Sequence, residues 1–299
     1  MKKIYLLIFL ALGILTASFA IVQQDYSNVE IKATKVAGNV YMLQGRGVNI
    51  GVSVGEDGVL MVDDQFAPLA EKIKAAIKEL GGDSPKFILN THYHGDHTGG
   101  NAEFSAEGTI IAHRNVRKRL ATEQQRRGQV VPPKPKEAWP VITFDESLSI
   151  HFNGEEIEAL HYPSGHTDGD VVIYFKNANV VHMGDDFFVG HFPYVDLGTG
   201  GSVQGLIDNI ENVVTTVAAD VKIIPGHGAL STVDDLKNYL EMLKETTKTV
   251  TQKMNDGKTL DEIKADGLPD WDSWGSGFIK TDRWISTIYN SFSKNMTKK

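Results

Sequence analysis

Short apolar runs broken by glycine-rich turns open the readable part of the chain. The runs 29–36, 40–44, 49–54 and 59–62 read as successive strands, separated by Ala37-Gly38-Asn39, Gly45-Arg46-Gly47 and Gly55-Glu56-Asp57-Gly58. They predict an antiparallel meander. Leu69, Ile73, Ala76, Ile77 and Leu80 then recur at helical spacing between Pro68 and Gly81-Gly82, which predicts a helix over 68–80. A buried strand over 86–90, a strand over 109–112 and a charged helix over 115–126 follow. Residues 128–140 carry Pro132, Pro133, Pro135 and Pro140, so this stretch is expected to be irregular, with Trp139 as a wall of any nearby pocket. Asn153-Gly154 joins 147–152 to 155–161 as a hairpin. Strands over 171–175, 179–183 and 222–225 and helices over 202–218, 232–254 and 282–292 complete two similar halves.

Composition is that of an ordinary globular chain. It has 299 residues, 41% of them hydrophobic and 23% charged, enough for one large or two small domains with a real core. Cysteine is absent, so no disulfide staples the fold and no thiolate serves as nucleophile or ligand. The first residues read as a secretory signal: Lys2-Lys3, an apolar run from Ile4 to Leu15, then Ala17-Ser18-Phe19-Ala20 with small residues at the peptidase positions. Residues 1–20 are therefore expected to be a signal peptide, with cleavage after Ala20 and 21–299 forming one domain, periplasmic or secreted, with no membrane attachment after cleavage. The formal charge of −8 becomes −10 without the two lysines, a poor balance for binding nucleic acid. The basic run 114–127 reads as the solvated face of a helix.

The chemistry concentrates in Thr91-His92-Tyr93-His94-Gly95-Asp96-His97-Thr98-Gly99-Gly100. Imidazole nitrogens and a carboxylate packed this closely are what a divalent metal accepts. The buried strand before the run and the glycines after it place these residues on a rigid loop at a strand end. In such a segment His92 and His94 point one way and Asp96 and His97 another, so one run can serve two ions. Asp63-Asp64 ends the fourth strand, and one of the two, preferentially Asp64, is expected to orient a metal ligand from behind.

The pattern His-x-His-x-Asp-His resembles the signature of the metallo-β-lactamase superfamily. Ser164-Gly165-His166-Thr167, Met183-Gly184-Asp185 and Pro225-Gly226-His227-Gly228 agree with it in order, and the resemblance spans roughly residues 29–248. It implies a four-layer αββα sandwich. It also implies that His92, His94 and His166 hold one metal, that Asp96, His97 and His227 hold a second, and that Asp185 bridges them. The implied cofactor is two zinc ions per chain, with iron or manganese as alternatives. The implied activity is hydrolysis of an acyl bond (ester, lactone or β-lactam-like amide) by a metal-bound hydroxide, with Asp96 orienting it or carrying its proton.

Departures narrow the family. Lactamases of one subclass have cysteine where Asp185 stands; the basic glutathione-binding domain of glyoxalase II is not seen, and nuclease members want a basic groove. Secreted lactamase-like members are the nearest match. A mononuclear iron dioxygenase of sulfur compounds and a metal-binding scaffold with little turnover are the competing readings. The partner is a small-molecule substrate, with Tyr93, Trp139, Phe187, Phe188, His191 and Tyr194 as candidate pocket walls. His113 reads as a helix cap, and His151, His161 and His182 as structural histidines.

Overall fold

The computed structural model describes residues 25–126 and 128–296. The signal-peptide reading of 1–20 lies outside the described residues. β1 (Lys32–Ala37), β2 (Val40–Gln44), β3 (Asn49–Gly55) and β4 (Gly58–Val62) form the expected antiparallel meander. α1 (Ala70–Glu79) crosses over to β5 (Pro85–Asn90), which runs parallel to β4. Two single-turn helices, α2 (Gly95–Thr98) and α3 (Asn101–Phe104), lead to β6 (Thr109–His113) beside β5 and then to α4 (Arg114–Ala121). β7 (Gln124–Arg126) and β8 (Gln129–Val131) pair only with each other, and β9 (Ile142–Phe144) closes the edge of the first sheet beside β6.

The second sheet repeats the plan. β10 (Ser147–Phe152), β11 (Glu155–Tyr162), β12 (Asp170–Phe175) and β13 (Val180–His182) are antiparallel neighbours. α5 (Val203–Thr216) crosses over, and β14 (Lys222–Ile224) runs parallel to β13. α6 (Val233–Asn255), α7 (Leu260–Asp266) and α8 (Thr281–Met296) follow.

Side-chain alternation builds the layers. Along β4, Leu60 and Val62 face the second sheet and meet Phe152, Ile157, Ile173 and Ile224. Val59 and Met61 face the other way and meet Leu69, Ile73 and Ile77 around α1. The outer face of the second sheet packs on α5, α6 and α8 through Val181, Ile223, Leu206, Ile210, Leu243 and Ile285. The result is the expected α/β/β/α sandwich. Each fully buried aliphatic side chain in it contributes about 1.5–3 kcal/mol. Asn49 ties the two sheets at one rim: its N–H donates to Gly226 O at 2.9 Å and its Nδ2 to Pro225 O at 2.9 Å.

Three expectations change. The helix predicted over 115–126 stops at Ala121, because Val116 and Leu120 bury its inner face and the next turn offers no apolar side chain to extend it. Gln124–Arg126 instead folds back on Gln129–Val131, with Gly128 at φ +75° in the turn. The stretch 128–140 is thus irregular only from its first proline onward. β9 and α7 are additional: three residues are too few for a pattern, and α7 is held by a capping box between Thr259 and Glu262.

Candidate metal centre

β5, β13 and β14 deliver their C-terminal ends to the rim that Asn49 ties. Thr91 follows β5 directly, and Asp63 follows β4. Asp63 sits at φ +61°, a left-handed conformation for a non-glycine residue, and pays for it with hydrogen bonds. Its Oδ1 accepts from Thr91 N and its Oδ2 from Thr91 Oγ1, both at 2.7 Å. The histidine loop is therefore clamped to the neighbouring strand end before any ion is considered.

Hydrogen bonds fix which imidazole nitrogens are free. The Thr91 hydroxyl spends its proton on Asp63, so at 3.1 Å it can only accept from His92 Nδ1–H, leaving His92 Nε2 with its lone pair. His166 Nδ1–H donates to Tyr194 O at 2.6 Å, leaving Nε2 free. His94 Nε2–H donates to Asp196 Oδ2 at 3.2 Å, leaving Nδ1 free. His166 Nε2 and His94 Nδ1 then face each other at 2.8 Å, two lone pairs with no proton between them. Burial lowers the pKa of His166 to about 4 and holds His92 well below the usual imidazole range, with the neighbouring His97 adding to the effect at His92. A proton is thus disfavoured at neutral pH, and a cation is what these atoms fit.

The second group is oriented in the same way. His97 Nδ1–H donates to Asp63 Oδ2 at 2.7 Å, and His227 Nδ1–H to Gly47 O at 2.8 Å. Both turn Nε2 towards Asp185 Oδ1, at 3.0 and 3.2 Å. His227 Nε2 also lies 3.7 Å from Asp96 Oδ2. Asp185 Oδ2 faces the other side, 3.7 Å from His92 Nε2 and 3.5 Å from His166 Nε2. Two ligand groups result: His92, His94, His166 and Asp185, and Asp96, His97 and His227, each with its donor atoms within 4.8 Å of one another. Among the described residues His92 Nε2, His97 Nε2 and Asp185 Oδ1 are buried without a hydrogen-bond partner, and one site where they converge would let a bound ion satisfy all three. Burial alone would raise the Asp185 pKa, but His97, His227 and His92 outweigh it and keep the carboxylate ionised.

Two supporting acids differ from expectation. Asp63, not Asp64, orients His97. Asp64 accepts instead from Gly100 N at 2.8 Å, and burial pushes its carboxyl well above the usual range. Asp196, which was not expected to touch a ligand, holds His94 Nε2 and also accepts from Tyr93 OH at 2.7 Å. Burial opposes its charge, and the bonds from His94 and Tyr93 prevail and lower its pKa.

A cavity of about 490 Å³ opens over the centre, lined by His94, Asp96, Asp185 and His227 below and by Phe188, His191 and Tyr194 on the walls. Phe188 stacks flat on His227, with ring centroids 4.9 Å apart. Three expected wall residues belong elsewhere. Phe187 is buried in the core against Tyr239. Trp139 packs beside α4, its ring under Arg117 and its Nε1–H on Lys134 O. Tyr93 props Asp196 and faces a neighbouring cleft. Phe278, Ile279 and Arg283 line the cavity without having been expected there. His113 caps α4, and His182 is a buried strut whose Nδ1 accepts from Gly184 N, as expected.

The family model of the metallo-beta-lactamase superfamily matches residues 43–237. The chain belongs to that superfamily. A probable metallo-hydrolase, YqgX, of Bacillus subtilis is 34% identical over 181 residues, covering 56% of this chain and 82% of its own. A hydroxyacylglutathione hydrolase of Synechococcus is 28% identical over 145 residues, 48% of this chain; the chain spans 51% of that relative's length. Among solved structures, a metallo-beta-lactamase from Pontibacter korlensis superposes with a TM-score of 0.61 at 16% identity, over 72% of this chain and 99% of that one. A double mutant of the sec-alkyl sulfatase PisA1 superposes with a TM-score of 0.69 at 16% identity, over 88% of this chain and 50% of that one. At these identities the structures share the fold. This member of the superfamily is a metal-dependent hydrolase.

Proposed function

We propose that the chain is an exported hydrolase with two zinc ions, cleaving an acyl bond in a small molecule: an ester, a lactone or a β-lactam-like amide. The observation that carries the reading is the division of Asp185, one oxygen towards His97 and His227 and the other towards His92 and His166. A carboxylate spends both oxygens this way when two cations flank it. The clustering of His92, His94, His166 and Asp185, and of Asp96, His97 and His227, supports the reading. The name of the hydroxyacylglutathione hydrolase relative supports an acyl substrate.

Two zinc ions bound here supply Lewis acidity, bringing a water towards a pKa of about 7 and polarising the acyl carbonyl. The protein's own groups do the rest. Asp63, Asp196 and the carbonyls of Gly47 and Tyr194 hold the imidazoles in one tautomer, so no ligand must reorganise during turnover. Asp96, partly exposed to the cavity, would face the second ligand group with Oδ2, leaving its other oxygen to take a proton from the attacking water and return it to the leaving group. Phe188 shields the face of His227 from solvent.

Export rests on the amino-terminal pattern, and among the described residues no helix is long and apolar enough to cross a membrane. Mass spectrometry of protein from the periplasmic fraction is expected to find a mature chain beginning at Ile21. Elemental analysis is expected to give two zinc per chain; one iron would favour the sulfur-dioxygenase reading. Asp96→Asn is expected to lower kcat for every ester, lactone or lactam turned over by at least about a hundredfold with the fold intact. Finding no such substrate in a broad panel would leave the scaffold reading in its place.

A further inference from the structure

Arg283, in the first turn of α8, enters the wall of the metal cavity from beyond the stretch matched by the family model. Its guanidinium carbon lies 5.3 Å from the centre of the Tyr194 ring and 5.2 Å from that of Phe278. Among the described residues no carboxylate lies within ion-pair distance of its nitrogens, whereas Arg119 and Arg114 each hold an aspartate. Among the described residues the only acids in the cavity lining are Asp96 and Asp185, both turned to the metal groups. Aromatic contacts use the faces of a guanidinium and leave its in-plane N–H donors unspent. Such a fork matches a carboxylate in two parallel hydrogen bonds.

Beside Arg283 the wall is mostly aromatic and apolar, with the His191 imidazole also lining it. Phe278, 73% exposed, stands at the mouth, and Phe188 and Tyr194 continue the wall inward to His227 and His94. An exposed aromatic beside an unpaired cation, above a metal-ligand floor, describes a ligand with an anionic end and an apolar body. Among the described residues Arg283 is the only arginine or lysine that lines the cavity.

We propose that Arg283 receives a carboxylate of the substrate, so that the enzyme selects anionic acyl compounds with an apolar segment between the carboxylate and the scissile bond. This rests on the hydrolase reading for what happens at the floor, but the anion subsite can be measured without turnover. Isothermal titration of the zinc-loaded protein with 4-phenylbutyrate and with its neutral amide is expected to show the acid binding about tenfold tighter, in the range of one charge-assisted pair. Arg283→Gln is expected to abolish that preference and leave amide binding and the near-ultraviolet circular dichroism unchanged. Arg283→Lys, which keeps the charge without the fork, is expected to retain part of it. In hydrolysis, Arg283→Gln is expected to raise KM for mono-4-nitrophenyl glutarate about tenfold with kcat within about twofold, and to leave 4-nitrophenyl butyrate unaffected. If neither ester is cleaved yet the acid still binds through Arg283, the acyl-hydrolase reading fails and the subsite stands. If Arg283→Gln changes acid and amide alike, or neither, Arg283 is only a wall residue and the subsite is refuted.

Discussion

Asp63 Oδ2 lies 2.7 Å from His97 Nδ1, and both side chains are completely buried. The same carboxylate takes both donors of Thr91, so a single acid sets the tautomer of one expected ligand and the position of the loop that carries three others. Asp63→Asn removes the charge facing His97 and offers only one acceptor where three donors converge. Second-layer changes of this kind cost about 10–100-fold in metal affinity or activity. Asp63→Asn is therefore expected to lose metal from the Asp96, His97 and His227 group and to drop kcat/KM by that factor. Asp64→Asn is the matched control. Burial pushes the Asp64 carboxyl well above its usual range, so an uncharged amide is the milder change there, and its oxygen can still accept from Gly100 N. Equal losses in the two variants, read by elemental analysis and kinetics, would show that the assignment to Asp63 is wrong.

A second pair links the fold to pH. The rings of His113 and His161 stack 3.7 Å apart and 8° from parallel. Burial, then the neighbouring His161, lowers the His113 pKa to about 4, and burial lowers that of His161. The unfolded chain takes up the His113 proton near pH 6.5, the folded chain only near 4, so the unfolded state binds more protons in between. Stability contributed by neutral His113 is therefore complete above about pH 7 and is lost as pH falls from about 6.5 towards 4. His113→Asn does not titrate, and its side-chain oxygen can still accept from Asn115 N at the start of α4. Denaturant unfolding at pH 7 and pH 5 is expected to show the stability difference between wild type and variant shifting by about 1–2 kcal/mol in the variant's favour at the lower pH. A difference that is constant with pH would mean His113 is not held neutral.

How much of this was readable in the sequence depends on what else a residue type could be doing. Clustered imidazoles have few structural uses, and His166, Asp185 and His227 each follow a short apolar run and neighbour a glycine, so their convergence could be expected. The preference for Asp64 over Asp63 falls on the wrong residue. Strand alternation would have decided it, but the left-handed backbone at Asp63 breaks the alternation at that residue. Asp196 is a lone acid in an irregular loop, 102 residues from the histidine it holds, and no local pattern announces such a partner. Trp139 looks like a pocket wall because its proline-rich stretch lies only about 25 residues before His166, yet Arg117 and the Lys134 carbonyl already occupy its ring and its donor. Arg283 is invisible for a related reason: its significance comes from the ion pair it lacks, which only the fold reveals.

Gly226 tests the centre through its sterics alone. Its φ is not in the left-handed region, so an alanine there is not penalised by backbone preference. Yet a Cβ at this position would collide with Asp185 Oδ1 and lie 2.6 Å from the Gly184 backbone. The backbone cannot step aside, because Gly226 N donates to Gly184 O at 2.7 Å and Gly226 O accepts from Asn49 N at 2.9 Å. The methyl group must therefore displace either the Asp185 carboxylate or the tie between the two sheets. Gly226→Ala is expected to cost about 2–4 kcal/mol and to reduce bound metal to one ion per chain or fewer. Gly95→Ala makes the comparison fair: it lies in the same histidine loop, and a Cβ there meets nothing within 4 Å. Gly95→Ala should melt and bind metal like the wild type. If Gly226→Ala did the same, the close approach of Asp185 to this backbone would not be a feature of the protein in solution, and the division of its two oxygens between the ligand groups would lose its basis.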